Sequence, residues 1–317
     1  MESLHIKQCI IKIIKMLPII LVNYNSTDET IVCIKSILQS TVDNYKIIIV
    51  DNKSFYSEYR KLVDFKNELW STEKDKIVII NSNVNGGFAY GNNLGIQFCL
   101  NNFNDWEFIW ILNNDTVIHP NTIQQILDYS SSVPKNCGIW GHLLLYLDNP
   151  SIIQAAGGKY NKFLGKGYNI NAYRSCDSHH IQPVKVDYII GASMVVRREF
   201  IKDVGMMNEE YFLFFEELDW IERGKKNGWI IKYNPSIDIL HAHGGSTMKK
   251  DKNTNLFSAK CSFRSRILFT KKFHFPYLPF VLATCTISSI YKIVRGELKN
   301  GITLLLTSYK AVFSNSF

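Results

Sequence analysis

Four short runs of nearly unbroken apolar residues open the chain, and each stops at a polar cluster. Leu17–Val22 ends in Asn23-Tyr24-Asn25, Lys46–Val50 in Asp51-Asn52, Lys76–Ile80 in Asn81-Ser82-Asn83, and Phe108–Leu112 in Asn113-Asn114-Asp115. Runs of this length, rich in Ile and Val, predict strands buried on both faces. Between the first two, Ser26-Thr27-Asp28-Glu29 has helix-start chemistry, and Ile31, Ile34, Ile37 and Leu38 form a helical stripe. A loop rich in Gly and Asn, residues 85–93, opens a second helix through Cys99. Strands alternating with helices predict a parallel, three-layer α/β sheet. In such sheets ligands bind beyond the carboxyl ends of the strands, where Asp51, residues 85–93 and Asp115 all fall.

The pattern loosens after residue 150. Gly157 to Gly167 reads as a hairpin or loop, and Asp187–Val196 as a strand pair or a strand with a tight turn. Residues 216–227 read as a helix closed by Gly228. Ile230–Tyr233 and Ile237–Leu240 read as two short strands leading to His241-Ala242-His243-Gly244-Gly245-Ser246. From about Lys249 a basic stretch precedes an apolar run, Phe275–Tyr291, near the lower length limit for a membrane span. Two readings stay open for it: a helix lying in a membrane interface, or a helical subdomain packed on the core. The divisions expected are an N-terminal extension (1–16), a main domain (17–250) and a C-terminal helical region (251–317).

Composition narrows the class more than the fold. The chain of 317 residues is 46% hydrophobic and 20% charged, which excludes a largely disordered protein. A net charge of +8 suits an anionic partner such as a nucleoside diphosphate or an acidic membrane surface. Because the basic residues gather beside apolar sequence at the C-terminal end, anionic lipid suits them better than nucleic acid. The seven cysteines include no Cys-x-x-Cys pair, so neither a zinc knuckle nor a disulfide framework is expected, and a reducing cytosol fits. Residues 1–16 lack a signal-peptide pattern, since Lys12 and Lys15 interrupt the apolar stretch; a short leading helix is expected there.

Three stretches carry candidate chemistry. Asp115, at a strand tip, can hold Mg2+ or Mn2+ against a diphosphate. Taken alone, Asn113-Asn114-Asp115-Thr116 is read better as an Asx turn. In Phe214-Phe215-Glu216-Glu217-Leu218-Asp219, Glu216 and Asp219 share a helical face and Glu217 projects about 100° away. A carboxylate there can act as a general base, although acids in a first helical turn are also explained by the helix dipole. His241 follows a strand and precedes a flexible Gly-Gly loop.

Together, in this order, these stretches resemble the inverting glycosyltransferases of family 2 with the GT-A fold, particularly the rhamnosyltransferase-like branch of surface-polysaccharide biosynthesis. The motifs are Val22–Asn25, Val50–Ser54, Asn85–Gly95, Asn113-Asn114-Asp115, Glu216–Asp219 and His241–Ser246, spanning about Pro18 to Lys272. The resemblance implies donor contacts at Tyr24, Asn25, Asp51, Asn52, Asn85, Gly86, Gly87 and Asn114, with Asn92 and Asn93 shaping the donor loop. It further implies a Mg2+ or Mn2+ ion at Asp115 and His241, and a base at Glu217 supported by Glu216 and Asp219. Two departures stand out: Asn113 replaces the first acid of the metal-binding Asp-x-Asp motif, and the base is Glu instead of Asp.

The implied partners are a nucleotide-diphospho-sugar, dTDP- or UDP-linked, and a glycan acceptor on a lipid carrier. The implied location is the cytoplasm, peripheral at the inner face of the cell membrane. The thinned metal motif leaves one alternative, a non-catalytic nucleotide-sugar-binding or scaffold protein on a degenerate transferase fold.

Overall fold

A computed structural model describes residues 15–177, 182–242 and 252–313. The leading helix expected before Met16, and the His243–Ser246 part of the histidine motif, lie outside these residues.

The first half is built from β1 (Leu17–Asn23), α1 (Thr27–Leu38), β2 (Tyr45–Asp51), α2 (Tyr56–Glu68), the single turn α3 (Ser71–Lys74), β3 (Ile77–Asn81), α4 (Gly87–Asn102) and β4 (Phe108–Leu112). Its strands pair in parallel in the order β3-β2-β1-β4. Alternate side chains go to opposite faces, as strand geometry requires. Ile20, Ile48, Ile109 and Ile111 enter the core cluster that includes α4 residues, while Ile19, Leu21, Ile47, Ile49 and Trp110 enter the one that includes α1 residues. Helix α4 lies unusually close to β1 because its contact face is glycine. A Cβ on Gly91 would lie 2.7 Å from Val22, and one on Gly95 2.6 Å from Ile20.

The second half turns the sheet from parallel to mixed. It contains β5 (Thr116–Val117), α5 (Thr122–Ser130), β6 (Cys137–Tyr146), β7 (Ile153–Ala155), the hairpin β8 (Gly158–Asn161) and β9 (Lys166–Asn169), β10 (Ser193–Arg197), α6 (Arg198–Val204), α7 (Glu216–Lys226) and β11 (Ile230–His241). Strand β10 inserts antiparallel between β4 and β6; β11 then runs parallel to β6, and β5 closes the edge antiparallel to β11.

Two open readings resolve and one local expectation changes. The stretch before Val196 supplies one strand, Ser193–Arg197, preceded by a turn instead of a strand partner. The two short strands expected at 230–240 are one strand whose register shifts between Asn234 and Asp238, around Pro235. Proline has no N–H to give to the ladder, so the strand bulges there without ending. The Gly157–Gly167 region is a hairpin whose backbone is crowded by Tyr188.

Three helices end the described chain: α8 (Lys252–Phe273), α9 (Leu278–Val294) after a 3-10 turn at Phe275–Tyr277, and α10 (Leu298–Phe313). Helix α8 belongs to both parts. Its Leu268 and Phe269 enter the main core, whereas Ile267 joins Val281, Cys285 and Ala311 in a small separate one. Among the described residues every cysteine is a free thiol, five of them buried.

Candidate active site

The polar ends of β1 and β2 are knitted to each other. Asn23 donates from Nδ2 to Asp51 Oδ2 at 2.8 Å, and the Ser54 N–H reaches Asp51 Oδ1 at 2.9 Å. Asp51 is thereby fully buried and shapes the strand end from below. Asn25, with φ of 52°, turns the chain outward: its N–H donates to Ser54 Oγ and its Oδ1 accepts from the Phe55 N–H. Tyr24 beside it is 41% exposed and free to meet a planar ligand. Asn52 donates to Asn85 Oδ1 and the Gly87 carbonyl, which holds the glycine loop against β2. Asn85 and Gly86 are partly exposed on that loop, next to Asn52.

Asn92 and Asn93 lie deeper. Asn92 bonds the carbonyl one turn back in α4. Asn93 exchanges bonds with the Met207 backbone and reaches Glu209, stapling α4 to the segment that leads into α7. Asn114 donates to Ser26 Oγ and Thr30 Oγ1, fixing the end of β4 to the start of α1.

Pairing of β5 with β11 sets Thr116 opposite His241, and so brings Asp115 to the histidine. Asp115 Oδ1 lies 3.1 Å from His241 Nε2, yet this buried oxygen has no hydrogen-bond donor. Gln154 on β7 explains why. Its Oε1 is 2.5 Å from His241 Nδ1. An amide oxygen only accepts, so Nδ1 donates to it and Nε2 is the ring nitrogen turned toward Asp115. Asn113 Nδ2 lies 3.2 Å from that same nitrogen and can donate to it. A carboxylate oxygen and an imidazole nitrogen thus face one another 3.1 Å apart, a donor set that suits a divalent cation. Among the described residues there is no cluster of three or more His, Cys, Asp or Glu side chains. Asp115 and His241 thus fit a metal that takes its remaining ligands from a bound diphosphate, the usual arrangement for Mg2+.

The other acidic stretch sits at a separate corner. Phe214 (φ 68°) and Phe215 (φ 74°) are consecutive left-handed residues immediately before α7. Such backbone costs on the order of 1–3 kcal/mol per residue and clusters at functional sites. Here it swings Glu216 and Glu217 into the first turn of the helix. Glu217 lines a cavity of about 300 Å3 with Gly165, Lys166, Tyr188, Phe214 and Arg266 among its walls. The residue as a whole keeps some exposed surface, but its Oε2 is closed off and has no hydrogen-bond partner. Burial pushes its carboxyl up to about 7, against the opposing pull of the Glu217 and Leu218 N–H groups. Glu216 is also buried and is raised well above the ordinary carboxyl range, first by desolvation and then by the charge of Glu217. The helix dipole favours ionised acids here, and desolvation outweighs it.

Asp219 is fully buried and turned away from that cavity. It accepts from Arg223 at 2.7 Å, Lys272 at 2.6 Å and Tyr211 at 3.3 Å. It therefore braces α7 against α8, and its support of Glu217 is structural.

The two corners are tied through α4. The Phe88 N–H donates to the Phe212 carbonyl, and Gly87, with φ of 86°, passes so close that a Cβ would lie 2.1 Å from that oxygen. Sequence reasoning missed Gln154, Arg266 and the Phe214–Phe215 turn. An isolated Gln or Arg has no local pattern, and left-handed φ is not expected of Phe.

Comparison with known proteins agrees with this architecture. The Glycosyl transferase family 2 profile matches residues 19–142. Over 252 residues the chain is 25% identical to the low-salt glycan biosynthesis hexosyltransferase Agl10 of Haloferax volcanii, covering 80% of this chain and 74% of that protein. Over 159 residues it is 30% identical to the N-acetylglucosaminyl-diphospho-decaprenol L-rhamnosyltransferase of Mycobacterium tuberculosis, covering 45% of this chain and half (50%) of that enzyme. The fold is similar to that of GalNAc-T7, solved with UDP, GalNAc and Mn2+: the TM-score is 0.67 at 11% identity, over 88% of this chain and 51% of that one. Residues 19–142 thus match the glycosyl transferase family 2 profile, with strand ends and donor loop in the family's order, and the chain has the GT-A fold.

Proposed function

We propose that the protein transfers a sugar from a nucleoside-diphosphate donor to a hydroxyl of a glycan acceptor, with inversion at the anomeric carbon. One observation carries this reading: Asp115 Oδ1 and His241 Nε2 face each other at 3.1 Å beyond the strand ends, while a desolvated Glu217 lines a cavity at the other corner.

Tyr24, Asn25, Asn52, Asn85, Gly86, Gly87 and Asn114 form or support the donor face. Tyr24 is the exposed ring available for stacking, and the asparagines hold its loops in place. Asp51, Asn92 and Asn93 act beneath that face, keeping its loops in register. A divalent cation, Mg2+ or Mn2+, held by Asp115, His241 and diphosphate oxygens would supply neutralisation of charge on the departing diphosphate. Gln154 accepts from His241 Nδ1 and so keeps Nε2 turned toward Asp115.

Glu217 removes the proton of the attacking hydroxyl. As the new C–O bond forms, the bond from the anomeric carbon to the diphosphate oxygen breaks, and nucleoside diphosphate leaves from the opposite side. A carboxyl near 7 is matched to this task, since its proton affinity approaches that of the medium. A non-catalytic binder would have no use for so costly a buried acid.

The acceptor proposed is a lipid-linked glycan, by analogy with the diphospho-decaprenol relative, and the location proposed is the inner membrane face. Donor choice is tested by Mn2+-dependent hydrolysis of a panel of dTDP-, UDP- and GDP-sugars. One or more should be turned over by the wild type and spared by Glu217→Gln; no turnover of any, with or without Mn2+, would sink the reading.

A further inference from the structure

The C-terminal helices leave two apolar stripes outside the protein core. On α9, Val281, Cys285 and Ser289 face inward. Phe280, Ile287, Ile290, Tyr291 and Val294 lie on the opposite side and are 50% to 79% exposed. On α10 the inward residues are Gly301, Leu304, Ser308 and Ala311. Leu298, Ile302, Leu306, Tyr309 and Phe313 form its outer stripe, 43% to 85% exposed. At 3.6 residues per turn each set falls within about a third of the helix circumference. The tip of the β8–β9 hairpin joins this surface: Phe163 is 56% exposed and packs edge-on against Tyr277 and Phe280.

Charge is arranged around the stripes. Between residues 252 and 317 there are ten Lys and Arg and one acid, Glu297, a net of +9 where the whole chain is +8. The remaining 251 residues thus carry a net charge of −1. Glu297 is already paired with Lys292 at 2.9 Å. Arg295, Lys299 and Lys310 are exposed at the edges of the stripes, and Lys162 and Lys166 flank Phe163-Leu164.

We propose that the outer faces of α9 and α10, with the Phe163-Leu164 hairpin tip, dock the protein on an anionic lipid bilayer, lying in the interface without crossing it. Phe275–Val294 passes as a span by length and composition. However, Pro276 and Pro279 sit at its start, and the continuous helix α9 has 17 residues, the lower limit for a span. Its inner face is also occupied, since Thr284 accepts from Arg266, and Val281 lies in the small core with Ile267 and Ala311. Apolar stripes edged with cations are the signature of an in-plane helix.

The same hairpin connects this surface to the base. Leu164 and Gly165 accept hydrogen bonds from Arg266, and Gly165, Lys166 and Arg266 wall the Glu217 cavity. A bilayer on the α9–α10 face therefore borders that cavity. The docking surface stands on the helices alone; its use, presenting a lipid-linked acceptor to Glu217, rests on the proposed transferase reading.

Flotation of the full chain with phosphatidylcholine vesicles, with and without phosphatidylglycerol, tests the docking. Binding should require phosphatidylglycerol and be released by high salt or an alkaline carbonate wash. Ile287→Glu combined with Leu306→Glu should abolish it without changing the far-UV spectrum or soluble-donor hydrolysis. Each of Lys299→Glu and Lys310→Glu should weaken it roughly five-fold or more. No binding, equal binding by all variants, or resistance to carbonate would overturn the proposal. So would a dimer in light scattering that Ile287→Glu dissolves in a protein that ignores vesicles. Donor hydrolysis without vesicle binding would refute the surface and spare the transferase reading; the converse would refute only that reading.

Discussion

The donor edge and the base corner reach function by opposite physical routes. At the ends of β1, β2 and β4 nearly every polar side chain is satisfied by a neighbour: Asp51 by Asn23 and Ser54, Asn52 by Asn85 and Gly87, Asn114 by Ser26 and Thr30. That edge is held by its own hydrogen bonds, and among its described side chains Asp115 Oδ1 is a buried oxygen without a donor, 3.1 Å from His241 Nε2. The corner at α7 instead holds backbone strain at Phe214 and Phe215 and two poorly solvated carboxylates. Pre-organisation serves binding, whereas stored desolvation serves proton transfer.

Removing the base should produce the largest effect. Glu217→Gln should lower transfer by about 10²–10⁴-fold, the range for a general base. In the wild type, activity should rise with pH through about 7 and level off above it, because the raised carboxyl must lose its proton to act. A pH-independent rate between 5 and 9 would separate Glu217 from the chemistry.

Next comes the joint between the corners. Gly87→Ala places a methyl 2.1 Å from the Phe212 carbonyl in a left-handed conformation, and should cost on the order of 2 kcal/mol or more in a denaturant melt. Stability equal to wild type would show that the two corners are not tied there. At the donor edge, Gln154→Leu frees His241 to adopt the other tautomer. Affinity for Mn2+ in the presence of nucleoside diphosphate should fall about 10–100-fold, as for other partners that orient a metal-binding His. Unchanged affinity would mean that Asn113 alone orients the ring.

The smallest effect has the opposite sign. Folded Glu217 holds its proton more tightly than the unfolded chain does, so its contribution to stability declines as pH rises from the ordinary 4.5 through about 7. Glu217→Gln should therefore melt a few degrees higher than wild type at pH 8 and no higher at pH 4, read by circular dichroism. Equal melting at both pH values would deny that Glu217 is desolvated.

The sequence made the first corner far more legible than the second. Uninterrupted Ile and Val runs ending in Asn or Asp announce buried parallel strands, because their period and their stop signals are both local. At the second corner the helix itself is the legible part, 216–227 in the sequence and Glu216–Lys226 in the structure. Residues 230–240 look like two strands in the sequence, and only pairing with β6 carries one strand through the bulge around Pro235. Gln154 and Arg266 gain their partners only when segments far apart in sequence meet. No spacing in the chain marks them.

The division of labour is tested most directly by calorimetry of nucleoside diphosphate with Mn2+, run on Asp115→Ala and Glu217→Gln beside a transfer assay. Asp115→Ala should lose the Mn2+-dependent part of binding, and Glu217→Gln should bind like wild type while failing to transfer. Unaltered affinity in Asp115→Ala, or full transfer by Glu217→Gln, would contradict the account.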